Sequence, residues 1–232
     1  MKKLLISLVV ASVSTTALAA VEAPKKGKSA NNAPGFYVGA GLGGLIGQDF
    51  NAVEDTYVKA KPKGQPFLHL YNLLAGYKVN EYFRAEANGQ YRGLKYSGND
   101  ATGTYNQKIN NYSLFLNGYV DIPTNTVFTP YVTAGLGYAH NISGTLFGRD
   151  NAPAANFDAP GKSTSNFAWN IGFGSKMKIY ENVDLALDYR FVDLGKVGTH
   201  ATVDNNTVPN TISATSQNLR VHQGLLSLIY NL

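Results

Sequence analysis

Cysteine is absent from all 232 residues. That excludes a disulfide framework, a thiolate metal site and a lipid-modified cysteine behind an export leader. An exported chain without disulfides must draw its stability from a core, a membrane or a partner. Beyond residue 20 there is no run of 18 or more apolar residues, so no transmembrane helix is expected. Charge is sparse as well, with 15% charged residues and a formal net charge of +5. The basic residues cluster only at Lys25, Lys26 and Lys28, which gives no electrostatic case for a nucleic-acid partner. The four histidines are too scattered to name a metal site.

What is present begins with Met1-Lys2-Lys3, an apolar stretch from Leu4 to Val13, and the small-residue run from Thr15 to Ala20. These are the three parts of a secretory signal peptide, with Ala17 and Ala19 where the signal peptidase reads, so residues 1–20 are expected to be removed. The apolar stretch is shorter than the ~20 residues of a membrane-spanning helix. Residues 21–34 are rich in lysine, proline and asparagine and read as a flexible periplasmic tail. The rest is aromatic (12%, with 15 tyrosines) and rich in glycine (24), a mixture that points to strands rather than helices.

From Phe36 onward the pattern has period two, the mark of a strand with two different faces. The clearest run sets Phe83, Ala85, Ala87, Gly89 and Tyr91 against Arg84, Glu86, Asn88, Gln90 and Arg92. Another sets Val183, Leu185, Leu187, Tyr189 and Phe191 against Asp184, Ala186, Asp188 and Arg190. Eight such runs can be counted. Short breaks at Asn80-Glu81, Pro123–Thr126 and Tyr180–Asn182 alternate with long polar stretches at about 47–66, 93–110, 141–165 and 195–218. Short turns at one end and long loops at the other describe an outer-membrane barrel. Residues 35–232 are therefore expected to form an all-β, transmembrane, eight-stranded antiparallel up-and-down β-barrel with four long extracellular loops, its strands 9–11 residues long.

A soluble barrel also alternates, but with its apolar face inside. Here the polar face carries Lys78, Arg84, Glu86, Arg92, Asp121, Lys176, Lys178, Asp184, Asp188 and Arg190, interleaved with glycines. An eight-stranded barrel is just wide enough for side chains. The small glycines leave room for these long groups, whose opposite charges can pair in the lumen. The other face places Phe36, Tyr77, Phe83 and Tyr230 near the short turns. Tyr71, Tyr91, Tyr112, Tyr138, Phe167, Trp169, Tyr189 and Phe191 fall near the long loops, with mostly Leu, Val, Ala and Ile between the two groups. Two aromatic girdles around an aliphatic band fit a bilayer with two interfaces, so outer-membrane lipid is the expected partner of that face.

The stretches Gly35 to Gly43, Pro130 to Tyr138, Asn170 to Gly174, Asp184 to Arg190 and Leu226 to Leu232 resemble the eight-stranded outer-membrane β-barrel family. That family includes opacity-type and OmpA-like barrels and surface antigens of intracellular bacteria. The resemblance implies a non-enzymatic surface protein in adhesion or envelope integrity, with host or matrix molecules met through the loops. It implies no cofactor. Such barrels usually end in phenylalanine, read by the outer-membrane assembly machinery. This sequence ends in Leu232, with Tyr230 two before it. With no peptidoglycan-binding domain following, a wall-anchoring role is not expected.

Other chemistry is weak. Gly39, Gly41 and Gly44 fit a dinucleotide-binding spacing, but the fingerprint needs a helix after it and a polar loop follows. His140 and Ser143 suggest a lipid-modifying rim enzyme, with His200 and His222 toward the same end. His140 is expected to begin a loop, without a carboxylate in strand register beside it. The loop carboxylates Glu54, Asp55, Asp100 and Asp150 are explained by solvation. The lumen charges have two readings, a narrow ion path through a porin-like channel or a pairing network that fills the tube; for eight strands the filled tube is the default.

Overall fold

The computed structural model describes residues 34–45, 50–51, 59–62, 69–99, 103–150, 157–199, 202–204, 210–212 and 216–232. The expected leader, the tail up to residue 33, His200 and the carboxylates Glu54, Asp55 and Asp100 lie outside the described residues. No helix among the described residues is long and apolar enough to cross a membrane.

Eight long strands make the wall: β1 (Gly35–Leu45), β2 (Leu70–Lys78), β3 (Phe83–Asn99), β4 (Gly103–Asp121), β5 (Phe128–Ser143), β6 (Gly161–Tyr180), β7 (Val183–Thr199) and β8 (Ser216–Asn231). Each pairs antiparallel with its neighbours in the chain. β1 also pairs with β8, from Tyr37↔Asn231 to Leu45↔Gln223, and so closes the ring. Closure removes the two edges that an open sheet would expose.

Local chemistry fixes the short turns. The side-chain oxygen of Asn80 accepts the backbone N–H groups of Tyr82 (2.9 Å) and Phe83 (2.8 Å), holding the β2–β3 turn. Asn182, in the β6–β7 turn, accepts the N–H of Asn231 through its carbonyl (2.8 Å) and ties down the last strand. Far from these turns, Gly195 adopts φ +70° where the β7–β8 register shifts between Asp193 and Lys196. Its N–H is bonded to Asp193 (2.9 Å). A side chain there would be strained by the left-handed backbone and would meet Asn166.

Burial alternates along the membrane-crossing stretch, most strictly on β3. On β3, Arg84, Glu86, Asn88, Gln90 and Arg92 are buried, while Phe83, Ala85, Ala87 and Gly89 are exposed. Three inward glycines seat rings from the adjoining strand. A Cβ on Gly76 would overlap the ring of Tyr37, one on Gly174 the ring of Tyr131, and one on Gly137 the ring of Phe115. These are directly paired positions on neighbouring strands. Gly172 makes the same allowance for Arg190, and Gly135 for Asn117.

Strand length departs from the sequence expectation. β3, β4, β6 and β7 have 17, 19, 20 and 17 residues, well beyond the ~9–11 that cross a bilayer. Much of the stretches 93–110, 141–165 and 195–218, expected as loop, is strand continuing past the membrane. Polarity reverses there. Leu94, Ile109, Val192, Leu194, Val197, Leu219 and Val221 point inward and are buried, while Lys95, Lys108, Lys196, Asn218 and Arg220 are exposed. The rule of apolar outside and ionised inside therefore holds only for the part of the wall nearer the short turns.

Candidate functional site

The inward residues of β3, read outward from its short turn, make a section through the lumen: Arg84, Glu86, Asn88, Gln90, Arg92, Leu94. Charge comes first, then amides, then a cation, then hydrocarbon.

The first layer is an ionic cluster among tyrosines. Arg84 Nε donates to Asp121 Oδ1 (3.0 Å) and its Nη1 lies 3.6 Å from Glu86 Oε2. Lys176 Nζ reaches Asp121 Oδ2 (2.6 Å), and Arg190 Nη2 reaches Asp188 Oδ1 (3.2 Å). Tyr119 donates its hydroxyl to Glu86 (2.6 Å) and accepts from Arg190 (2.8 Å). The guanidinium of Arg84 lies 3.8 Å from the ring centroid of Tyr119 and 4.6 Å from that of Tyr131, close enough for cation–π attraction. Three cations and three carboxylates thus meet in one buried group.

Not all ten charges join it. Lys78, Lys178 and Asp184 stand half-buried at the short-turn rim, where Asp184 accepts from Asn231 (3.1 Å). Arg92 sits beyond the cluster and, among the described residues, contacts no carboxylate. Its donors go to Gln223 (3.1 and 2.9 Å), Asn111 (2.7 Å), Ser113 (2.7 Å) and Gln90, all neutral oxygens. Between Arg92 and the ionic cluster runs an amide belt. Asn170 donates to Asn117 (2.8 Å), Asn117 to Asn88, and Asn88 to Asn72 (3.3 Å), which also accepts from Gln90 (3.0 Å). Sequence reasoning passed over these amides, whose one signal was their place on the polar face.

Beyond Arg92 the inward face is mostly apolar, though Gln107 and Ser143 are also buried there. Leu94, Ile109, Ala139, Val192, Leu194, Val197, Leu219 and Val221 form one cluster in which no residue is more than 2% exposed. Among the described residues this stretch of the lumen is closely packed by hydrocarbon.

A family model described as outer membrane protein beta-barrel domain matches residues 5–215. The chain belongs to this family. It is an outer-membrane protein. Outer membrane protein PagN of Salmonella typhimurium is 34% identical over 100 residues, 40% of this chain, and the chain matches only 39% of PagN's length. The candidate adhesin RC1281 of Rickettsia conorii is 26% identical over 196 residues, covering 75% of this chain and 74% of RC1281. A major outer membrane protein from Thermus thermophilus superposes with a TM-score of 0.50 at 11% identity, covering 86% of this chain and 100% of that one, a likeness of fold alone.

In barrels of this family the short turns face the periplasm and the long connections face the exterior. The outward rings then take their places. Phe36 and Tyr77 meet at 4.8 Å on the periplasmic side. Tyr71, Tyr91 and Tyr112 adjoin in a row on the outer side (6.2 and 5.0 Å), as do Trp169 and Phe191 (5.5 Å).

The exterior end is built as a sheet. The strand 59–62 pairs with β3 at Lys61↔Ser97 and Pro62↔Tyr96, and Phe50–Asn51 pairs with 59–62. On the other side Leu146–Asp150 pairs with β4 from Gly103↔Asp150 to Asn106↔Phe147, and Phe157–Ala159 pairs with Leu146–Asp150. Three of the four expected loops thus contribute to one sheet, with the β3–β4 hairpin as its spine. The fourth forms a separate pairing, Thr202–Asp204 with Asn210–Ile212.

The suggested rim dyad does not assemble. His140 lies within β5 rather than at the start of a loop, and its neighbours Ala139 and Asn141 face inward. Ser143 is buried on that inward side, opposite His140. The imidazole Nδ1 instead meets Ser165 Oγ across the β5–β6 pairing (2.9 Å), and His222 meets the Tyr189 hydroxyl (2.6 Å). Gly39, Gly41 and Gly44 lie within β1 and not in a loop that cradles phosphate. Asp150 falls in a strand. Among the described residues no group of three His, Cys, Asp or Glu could hold a metal ion.

Proposed function

We propose that this chain is a non-conducting surface protein that binds host or matrix molecules through its exterior sheet. The observation that carries the reading is the outward continuation of β3 and β4, which gathers three connections into one surface on a closed barrel. Binding function concentrates in connections held by a rigid scaffold. The name of RC1281, a candidate adhesin aligned over most of both chains, supports the same reading. The apolar cluster above Arg92 speaks against the porin-like alternative. The ten charges would then act structurally, filling and bracing the tube, with no cofactor and no catalytic residue.

Grafting tests this. Replacing 50–62 and 146–159 by short glycine-serine turns is expected to abolish adhesion of expressing bacteria to cultured cells or immobilised matrix. Replacing 202–212 alone is expected to leave most of it. Unchanged adhesion after the first replacement, with the barrel still heat-modifiable on a gel, would sink the proposal. In planar bilayers the refolded protein is expected to be silent.

A further inference from the structure

We infer that the middle of the lumen binds a small monovalent anion of the halide class, seated against Arg190 and Gln223 beside Arg92. Charge in the lumen is unevenly matched. The ionic cluster closes on itself, with Arg84, Lys176 and Arg190 matched by Asp121, Glu86 and Asp188. Arg92 is left over. It is fully buried, and every acceptor it holds is a neutral oxygen. A buried charge is tolerated when hydrogen-bonded and matched by an opposite charge. Among the described residues, Arg92 has the first and lacks the second.

The donors around it point to where the missing charge sits. Gln223 holds Arg92 through its Oε1 and is the direct cross-strand partner of Arg190, so these side chains start from neighbouring positions on one face. Gln223 Nε2 and both Nε and Nη1 of Arg190 are buried without a hydrogen-bond partner. Three such donors on directly paired residues, two of them on one guanidinium, offer charge-assisted bonds to an anion. The nearest carboxylate, Asp188, is engaged with Arg190 Nη2. Glu86 Oε2, 3.6 Å from Arg84 Nη1, and Asn170 Oδ1 are buried acceptors without a hydrogen-bond donor, which water could serve. Water alone would quench the donors but not the charge. A halide does both, and its size suits a lumen only wide enough for side chains.

The test uses the refolded full mature chain in detergent. Crystals grown from sodium bromide are expected to show an anomalous peak within hydrogen-bond distance of Arg190 and Gln223. The melting midpoint is expected to rise by about 3 °C per tenfold increase in bromide, with gluconate holding ionic strength constant. Arg92→Gln removes the excess charge and is expected to abolish both effects. Should that variant fail to fold, Gln223→Glu supplies a fixed negative charge at the same place. It is expected to raise the midpoint in gluconate and to lose the anomalous peak. A site filled by water alone, bromide only on the outer surface, or bromide persisting unchanged in Gln223→Glu would overturn the inference.

Discussion

The two halves of this barrel wall obey opposite rules. Nearer the periplasm β3 presents Phe83, Ala85 and Ala87 outward and Arg84, Glu86 and Asn88 inward; a few residues on, Lys95 is outward and Leu94 inward. β4, β7 and β8 make the same exchange, with Ile109, Leu194 and Leu219 inside. The β3–β4 pairing does not change across the boundary; the solvent does. Lipid takes the apolar face where the wall crosses the membrane. Water takes the polar face beyond it, and the apolar side chains have only the lumen left. One ladder therefore serves as a membrane barrel and then as a soluble one.

Breaking the lower half should have the largest effect. Arg84→Ala leaves Asp121 with only Lys176 and Glu86 with only the Tyr119 hydroxyl, and removes the cation from the rings of Tyr119 and Tyr131. Removing one partner of a buried ionic group costs ~3–5 kcal/mol, so the urea midpoint of the refolded barrel is expected to fall accordingly. A loss under about 1 kcal/mol would mean that water reaches the cluster. In the upper half the corresponding cut is Leu94→Ala, which opens a cavity among side chains that are no more than 2% exposed. Its expected cost is ~2–4 kcal/mol.

Much of the lower half was legible in the sequence because lipid sharpens a period-two pattern. Arg84 and Phe83 could be assigned to opposite faces from alternation alone, and the glycines that receive Tyr37 and Tyr131 already lay on the inner face. The upper half was misread for a physical reason. Where the rule inverts, a strand such as Asn218-Leu219-Arg220-Val221 still alternates, but against a polar background it resembles a loop. Charge arithmetic misled in a smaller way, since ten ionisable residues on one face suggested general pairing. Whether Arg92 joins the cluster depends on how far along β3 it lies, and spacing within one strand does not say which residues of other strands reach it. The sheet formed by three connections was not legible either, because its pairings, such as Lys61↔Ser97, join positions far apart in sequence.

Placing the same charge on the outer surface at two heights sharpens the boundary. Leu116→Arg puts a cation on the exposed lipid face between Ala87 and Leu136, with an expected cost of ~2–4 kcal/mol near the bilayer midplane. Asn218→Arg adds the same side chain at an exposed outward position of β8 beyond the inversion, and its expected cost is under ~0.5 kcal/mol. Folding into lipid vesicles, followed by denaturant titration, reads both. Equal costs would place the boundary elsewhere.

A comparably small effect belongs to the outward ion pair of the upper half. Arg220 Nε donates to Asp193 Oδ2 at 2.8 Å, but the arginine side chain is 54% exposed. A pair so open to water and salt contributes between ~0 and 1 kcal/mol. Arg220→Ala should therefore lower the denaturation midpoint slightly at low ionic strength and leave it unchanged at high salt, where exposed charges are screened. If salt instead left the difference intact, the pair would be shielded from water, and the lipid boundary would have to lie farther outward than the inversion at Leu219 and Arg220 implies.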